Sequence, residues 1–486
     1  MFKITKMTAM LACLGLSLAA TSTSAKSNKG YQPDGYKMIT VKTPAKVKFH
    51  ATGVDAHSNG DIFVATRFGD VWRLRAENWL KVADGLHEPT GLLVDEDGSV
   101  IVGHKPELTR LIDLDGDGIM DDYINLADNW NFHDNYHEFN FGPVRDSQGN
   151  YYGTLNLGHG APNSLAIGTM GSGGGYRGWT YQVTKDGEFV PYASGLRSPA
   201  GIGISPNDEL FFTDNQGDWV ETSKLHFVKK GKFYGHPVSL RDHPDWSVDK
   251  IKKNSYNFDM WHAMRELPVV WFPHIEVASS PGNPEWDTSQ GKFGPFAGQM
   301  FVSDVTQSNL FRVVLDKVNG EYQGAVINFM SGFQSGNIRL SFDNQGQLWV
   351  GQTARGWGSK GGKPFGIQKV VWDGTNPFEI LDIKLTKTGF KVNFTEAVSN
   401  NSRNKVKVNV EEWNYHYSNK YGSAKMNEQK LQGSNLTWSN GNKTLTFDLP
   451  LTAEKVLKIN FNGLVDKKGR KPSVKTAYYT LNQLRK

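Results

Sequence analysis

The feature that most constrains the fold of this chain is a degenerate repeat of two alternating strands joined by a tight turn. Each copy places apolar residues at every second position around a turn rich in Gly, Asp, Asn or Gln, which is the pattern of a β-hairpin. Copies occur at Gly53–Ala65, Gly91–Val102, Phe139–Leu155, Gly201–Thr213, Pro295–Ser303 and Ile338–Gln352. Six such units predict an all-β fold, a six-bladed β-propeller in which each blade buries both faces against its neighbours.

The pattern changes near residue 376. The segment Glu379–Phe394 alternates between apolar and polar residues, and Thr444–Leu449 and Val456–Phe461 do the same around an Asn440-Gly441 turn. We therefore predict that the propeller domain spans residues 35–376 and that residues 377–486 form a small immunoglobulin-like β-sandwich.

The N-terminus has the pattern of a signal peptide. Lys3 and Lys6 precede an apolar run, and small residues surround a cleavage site after Ala25, so residues 1–25 predict export to the periplasm or secretion. A lipoprotein anchored at Cys13 is the alternative. Because Cys13 is the only cysteine, the cleaved chain would have neither disulfides nor a thiol nucleophile.

The C-terminal region is basic. Residues 377–486 contain 19 Lys and Arg residues but only 9 Asp and Glu residues. On an exported protein this excess favours an anionic polysaccharide or cell-surface glycan as partner over nucleic acid. The alternative is a charge excess that serves only solubility.

One loop has the composition of a calcium site. Carboxylates recur at every second position around Gly118, and hard oxygen ligands at this spacing suit calcium. Position twelve of an EF-hand would be Ile124, so the loop is not an EF-hand, and an acidic solvated turn is the alternative reading. The predicted ligands are Asp113, Asp115, Asp117, Asp121 and Asp122.

Two groups of polar residues predict a reaction site. His137 precedes the third repeat, where it could act as a general base oriented by Glu138 or Asp134, and His133 and His159 lie nearby in the sequence. Around the fourth repeat, Arg197 precedes a Ser-Pro turn and is suited to binding a carboxylate. The oxygen-rich segment 215–218 could bind a metal or a sugar, although a structural role is an alternative for each of these residues.

Several longer motifs resemble one family. They are Tyr136-His-Glu138, Tyr176-Arg-Gly-Trp179, Gly195-Leu-Arg-Ser-Pro199, Thr213-Asp-Asn-Gln-Gly217, Gly231-Lys-Phe-Tyr-Gly-His-Pro237, Gly291-Lys-Phe-Gly-Pro-Phe-Ala-Gly298 and Gly351-Gln-Thr-Ala-Arg-Gly-Trp357. Together they are similar to the bacterial glucose/sorbosone dehydrogenase-like propellers, over roughly residues 50 to 395. The resemblance implies a six-bladed propeller related to the soluble quinoprotein sugar dehydrogenases, which use pyrroloquinoline quinone and calcium.

The resemblance also implies roles for individual residues. His137 would take the proton of a sugar hydroxyl while hydride passes to the quinone, and Arg197 would lie beside the quinone. Arg339 would bind a quinone carboxylate. The calcium and cofactor loop would comprise Asn215, Gln216, Gly217 and Asp218. The chain departs from the family at two positions, because the family's quinone-binding lysine and a second arginine would fall near Thr306 and Asn337.

The same residues leave two other functions open. A polysaccharide lyase acting on a uronate needs a base, a proton donor and a cation that neutralises the carboxylate. His137 or His159, Tyr181 or Tyr176, and Arg197 would supply these groups. If the histidines are structural, a non-catalytic glycan-binding propeller is the third possibility.

Overall fold

The computed structural model describes residues 30–133, 135–161, 163–356 and 358–486. The predicted signal peptide, Asp134 and Trp357 lie outside these residues. Within the described ranges the chain is nearly all β, and none of its helices is long and apolar enough to cross a membrane.

The first half of the chain forms an N-terminal strand followed by three four-stranded antiparallel sheets. The first sheet is β2–β5, the second is β6–β9, and the third has the order β10-β11-β14-β15, with the short pair β12-β13 inserted. The strands are β1 (Tyr36–Thr40), β2 (Ala51–Ala56), β3 (Ile62–Thr66), β4 (Val71–Arg75), β5 (Asn78–Ala83), β6 (Gly91–Val94), β7 (Val100–Gly103), β8 (Leu108–Ile112), β9 (Asp122–Ala127), β10 (Asn140–Arg145), β11 (Tyr151–Leu155), β12 (Leu165–Ala166), β13 (Gly171–Ser172), β14 (Trp179–Val183) and β15 (Phe189–Ser194).

Three further units of the same kind follow. The fourth sheet is β16–β19, the fifth is β20–β23, and the sixth is completed by the N-terminal strand in the order β1-β26-β25-β24. Their strands are β16 (Pro199–Ile204), β17 (Leu210–Asp214), β18 (Lys224–Phe227), β19 (Val270–Trp271), β20 (Pro281–Trp286), β21 (Met300–Asp304), β22 (Asn309–Val318), β23 (Glu321–Ser331), β24 (Asn337–Phe342), β25 (Leu348–Thr353) and β26 (Phe365–Trp372). Two short helices, α1 (Val248–Lys253) and α2 (Phe258–Met264), lie between β18 and β19.

The six sheets contact one another in a closed cycle. The first strand of each sheet touches the first strand of the next, from β2 through β6, β10, β16, β20 and β24 back to β2. Pairing of β1 with β26, from Tyr36 opposite Trp372 to Thr40 opposite Gln368, ties the two ends of the cycle together. This arrangement is that expected of a β-propeller, and we call these six sheets the ring.

Glycines let the first strands come together. A Cβ added to Gly91 would lie 2.2 Å from the carbonyl oxygen of Gly142, and one added to Gly201 would lie 2.2 Å from the Cα of Asn283. Because real Cβ atoms do not approach that closely, larger residues at these positions would push neighbouring sheets apart. These contacts bring the strand ends around a narrow central channel.

The hairpin repeats correspond to the first two strands of the sheets, with one exception. The predicted unit Pro295–Ser303 begins too late, because the first strand of the fifth sheet is β20 and residues 295–299 belong to the connection before β21. β20 contains Pro281 and Pro284 and a register shift between them. The prolines conceal its strand pattern in the sequence.

The C-terminal region forms two sheets around a shared core. One has the order β27-β28-β32-β31, and the other, β34-β33-β29-β30, continues the fifth sheet beyond β23. The elements are β27 (Ile380–Leu385), β28 (Gly389–Phe394), α3 (Asn400–Arg403), β29 (Lys407–Asn414), β30 (Met426–Gln432), β31 (Ser434–Ser439), β32 (Thr444–Asp448), β33 (Lys455–Asn462) and β34 (Thr476–Leu481).

The C-terminal region is joined to the ring through its sheet and its core. Gly324–Val326 of β23 pair with Tyr478–Thr480 of β34. Val314, Val318, Ala325 and Ile327 of the fifth sheet belong to the same buried cluster as Phe390, Phe447 and Tyr479. The boundary at residue 377 stays a prediction. Because of these contacts, a ring without the C-terminal region would expose a strand edge and part of a buried core.

We therefore expect deletion of residues 377–486 to destabilise the ring. The deletion would expose the edge of β23 and four apolar side chains, and burial of a large aliphatic side chain is worth about 1.5–3 kcal/mol. Thermal melting and light scattering of the truncated and full-length proteins would show a lower Tm and association of the truncated protein. An unchanged Tm with a monomeric product would contradict this expectation.

Candidate functional site

The candidate site lies at the mouth of the central channel. The cavity there is bounded by residues that precede the first strands of the sheets or follow their second strands, so that the ring brings distant parts of the chain together. Its lining includes Arg67, Tyr136, His137, Phe139, Phe141, Asn156, Ser198, Asn215, Ser280, Thr353 and Arg355. The sequence predicted His137 and Asn215 among these residues.

Arg339 closes the channel beneath this cavity. Its Nε donates to the carbonyl oxygen of Thr90 at 2.9 Å, and its Nη1 donates to those of Ala200 at 2.6 Å and Ile338 at 2.7 Å. Nη2 also donates to Thr90, and the guanidinium lies over the ring of Phe141. The cofactor-binding role predicted for Arg339 does not agree with this geometry, because its donors are used to join strands.

His137 is a half-buried imidazole at the mouth. Its ring packs edge-on against Tyr136 and lies 4.6 Å from the ring of His159. Burial, followed by the charges of His159 and Arg197, lowers the pKa of His137 to about 3. His137 is therefore neutral at physiological pH, which is the form that accepts a proton.

The neighbouring residues have roles that differ from those predicted. The carboxylate of Glu138 accepts a hydrogen bond from the backbone N–H of His133 and lies 3.3 Å from His133 Nδ1. Glu138 is completely buried, and these contacts orient His133. His159 is exposed and is held by the carbonyl oxygen of Thr169, 3.1 Å from its Nδ1.

Arg197 is held rigidly beside the mouth. Its Nε donates to Asp218 Oδ1 at 2.7 Å, and the backbone N–H groups of Arg197 and Ser198 donate to the carboxylate of Asp214 at 2.9 and 2.8 Å. Gly217 is required on the other side, because a Cβ there would lie 1.9 Å from the Arg197 Cζ. The charge of Arg197 is thus fixed close enough to His137 to help lower the pKa of its imidazole.

Segment 215–218 divides into two parts. Asp218 accepts hydrogen bonds from Arg197 and from the backbone N–H groups of Thr169 and Met170, at 2.7 and 2.9 Å, and lies 3.3 Å from His236 Nε2. Burial would raise the pKa of Asp218, but His236 and Arg197 outweigh it and lower that pKa well below its usual value. Asp218 and Gly217 therefore position Arg197, while Asn215 lines the cavity.

A cluster of cations at the mouth was not predicted from the sequence. The carboxylate of Glu88 lies 2.8 Å from Lys105 Nζ, 3.0 Å from Arg355 Nη2 and 3.5 Å from Arg67 Nε. Burial would raise the pKa of Glu88, but Arg67 and Lys105 outweigh it and lower the pKa. These residues belong to different sheets or loops and have no shared sequence motif, so only the closed ring reveals them.

Arg67 is the most constrained member of this cluster. It is 4% exposed, and its guanidinium lies 4.5 Å from the ring centroid of Phe139 and 5.1 Å from that of Tyr136. Its Nε is ion-paired with Glu88 at 3.5 Å, and its Nη2 is buried with no hydrogen-bond acceptor among the described residues. Buried N–H groups without acceptors are costly, so Arg67 is suited to receiving an anionic ligand.

Tyr181 lies away from this site. It is completely buried in the third sheet, donates to Asn140 Oδ1 at 2.8 Å and stacks on Trp130. Burial raises its pKa above the usual value. Tyr176 packs against Trp179 and Phe189. Neither tyrosine is placed as the proton donor that the lyase reading required.

Four of the five predicted calcium ligands lie in the β8–β9 connection, and the fifth, Asp122, begins β9. Ligand atoms of Asp113, Asp115 and Asp117 all lie within 4.8 Å of one another. Asp121 instead accepts from the backbone N–H of Leu114 at 2.8 Å, and Asp122 accepts from that of Tyr123. Thus three of the five predicted carboxylates converge.

No family model and no curated protein matches the sequence. Among solved structures, the chain is similar to a putative oxidoreductase (glucose dehydrogenase) of Thermus thermophilus, with 18% identity over 69% of this chain and 100% of that one and a TM-score of 0.51. It is also similar to a family AA12 carbohydrate-active enzyme of Trichoderma reesei, with 12% identity over 71% of this chain and 97% of that one and a TM-score of 0.51.

A third similar structure is the pyranose dehydrogenase PQQ domain of Coprinopsis cinerea, with 13% identity over 70% of this chain and 97% of that one and a TM-score of 0.50. At these identities the likeness concerns the fold. The resemblance indicated by the sequence motifs is confirmed at that level, and the chain has the fold of the glucose/sorbosone dehydrogenase-like quinoproteins.

Proposed function

We propose that this protein is an exported sugar dehydrogenase-like oxidoreductase that removes hydride from the carbon bearing a sugar hydroxyl, while the hydroxyl loses its proton to a base. The observation that carries the proposal is that one cavity at the channel mouth is lined by both a neutral His137 and the buried guanidinium of Arg67. A neutral imidazole supplies a base, and the guanidinium supplies a site for an anionic cofactor. The similar folds of sugar-oxidising proteins support the same class of reaction.

His137 has the properties of the base. Its Nδ1 is buried from solvent, so we assign proton transfer to Nε2, which would accept the proton of the sugar hydroxyl. The low pKa that burial and the nearby cations produce keeps this nitrogen unprotonated over the physiological range. The cost is a weaker base, and the positive charges around the mouth would offset it by stabilising negative charge that develops on the sugar oxygen.

Pyrroloquinoline quinone is a flat tricarboxylate that needs cations and aromatic surfaces, and the mouth supplies both kinds of group. Arg67 Nη2 is a buried donor with no acceptor within the described part of the chain and could donate to a carboxylate, whereas Asn215 Oδ1 is a buried acceptor that could receive only a donor group of the quinone. Phe139 and Tyr136 offer aromatic surfaces beside them. When bound, the quinone would supply the hydride acceptor. Arg67, Arg197 and Arg355 would hold it, in place of the cations that the family has near Thr306 and Asn337.

The same proposal extends to the architecture and location of the protein. We propose that the six sheets are the blades of a six-bladed propeller, that residues 377–486 form an immunoglobulin-like sandwich, and that residues 1–25 direct export to the periplasm or beyond. The excess of Lys and Arg in the C-terminal region supports an anionic polysaccharide as its partner.

Calcium is proposed at the loop formed by Asp113, Asp115 and Asp117. The loop winds around its own carboxylates, because Asp113 accepts from the backbone N–H groups of Gly116 and Gly118 at 2.8 Å each. Asp117 accepts from that of Ile119 at 2.7 Å. Convergent carboxylates repel one another, and a divalent cation would relieve this repulsion.

The proposed activity is tested by oxidation of aldoses with an artificial electron acceptor, after incubation of the protein with calcium and pyrroloquinoline quinone. Dye reduction that depends on the quinone is expected. His137→Ala should lower turnover about a hundredfold, the scale of losing a general base. Arg67→Gln should raise the quinone concentration needed for half-maximal activity, because it removes charge without removing bulk.

The matched control is His57→Ala, which changes a histidine in the β2–β3 turn and should leave turnover unchanged. Acidic polysaccharides tested in parallel at 235 nm should show no increase in absorbance. Absence of dye reduction together with rising absorbance would contradict the oxidoreductase and support the lyase.

The calcium proposal predicts that a chelator lowers the Tm of the wild-type protein, since a ligand bound only to the folded state stabilises it. In Asp115→Asn/Asp117→Asn the Tm should no longer respond to the chelator. Asp122→Asn is the control, because the Asp122 carboxylate lies outside the converging group, and its response should match the wild type. A wild-type Tm that is insensitive to chelation would refute the site.

A further inference from the structure

The C-terminal region reaches the channel mouth through one loop. Residues 415–425 connect β29 to β30 and lie against residues 215–221 of the fourth sheet. The backbone N–H of Trp219 donates to the Ser418 carbonyl oxygen at 3.0 Å, that of Gly422 donates to Gly217 at 2.9 Å, and that of Ser423 donates to Glu221 at 2.8 Å. We call residues 415–425 the rim loop.

Tyr417 anchors the rim loop. Its side chain is 5% exposed, its hydroxyl donates to the carbonyl oxygen of Gly235, and its ring lies 3.9 Å from the Arg265 guanidinium and 5.5 Å from the ring of Trp219. The rim loop is held in one place by backbone hydrogen bonds on both sides of position 421 and by the buried ring of Tyr417. Its position is therefore part of the folded structure.

Tyr421 is the exposed residue that this loop presents. Its side chain is 65% exposed, whereas Arg197 beneath it is 6% exposed, and the Arg197 Cζ lies 5.4 Å from the Tyr421 ring centroid. The ring thus has a cation on one side and solvent on the other. An aromatic ring left in water does not gain the free energy that its burial would give. A rigid ring also loses little conformational entropy when it binds a ligand.

We propose that Tyr421 is a stacking platform for the second sugar residue of an oligosaccharide whose terminal residue occupies the mouth beside His137. Tyr421 is not among the residues that line the cavity with His137, so its contact is with the neighbouring unit and not with the reacting ring. This inference rests on the proposed function and narrows its substrate class from free monosaccharides to the ends of carbohydrate chains.

The test compares wild type, Tyr421→Ala and Tyr421→Phe with glucose, galacturonate, cellotriose, maltotriose and trigalacturonate. The ratio of kcat/KM for the preferred trisaccharide to that for its monosaccharide should fall about tenfold in Tyr421→Ala, through KM. Tyr421→Phe should keep the wild-type ratio, because the ring and not the hydroxyl makes the contact. Tyr256→Ala is the control: Tyr256 is 77% exposed and lies between α1 and α2, and its loss should change neither constant.

Titration calorimetry of the same trisaccharides separates this inference from the proposed function. If wild type oxidises no sugar but binds a trisaccharide that Tyr421→Ala does not bind, the oxidoreductase proposal fails and the platform stands. If wild type binds none of the trisaccharides, or if Tyr421→Ala keeps both the wild-type ratio and the wild-type affinity, the platform is overturned. Equal Tm values for the variants would exclude misfolding as the cause of any loss.

Discussion

The rest of the structure depends on how the guanidinium of Arg339 is satisfied. Its donors reach carbonyl oxygens of Thr90, Ala200 and Ile338, which lie at the second, fourth and sixth sheets. Burial lowers the pKa of Arg339 to about 9, and a buried cation without such partners would be strongly destabilising. Arg339 therefore holds three of the six sheets together at one point. These bonds close the channel, and the candidate site lies at the mouth above them.

Above Arg339, the ring brings acidic and basic side chains together at the channel mouth. The buried carboxylates of Asp214 and Asp218 and the half-buried one of Glu88 fix the positions of Arg197, Arg67 and Lys105, and those cations in turn help keep His137 unprotonated. The C-terminal region contributes Tyr421, whose ring lies over Arg197 beside the mouth. Because it also shares a sheet and a core with the fifth sheet, it is an integral part of the site's architecture.

Sequence reasoning succeeded where the signal was local. The hairpin repeats locate the first two strands of five sheets, and His137, which the motifs singled out, lies in the lining of the cavity at the mouth. It failed where the signal was not local. Arg67 meets Glu88 and Arg355 only after the ring has closed, so no spacing along the chain could reveal that cluster. Tyr181 resembled a donor in the sequence, but the pairing of its hydroxyl with Asn140 places it in the core.

The central claim is that the protein itself, before any ligand binds, holds His137 as a neutral base among cations. NMR titration of protein labelled with 13C-histidine, with the His137 signals assigned through His137→Gln, measures this directly. The account predicts a His137 pKa of about 3, far below the ordinary imidazole value of about 6.5, and a higher pKa in Arg67→Gln because a nearby positive charge is removed. A His137 pKa near that ordinary value in wild type, unchanged in Arg67→Gln, would contradict the account.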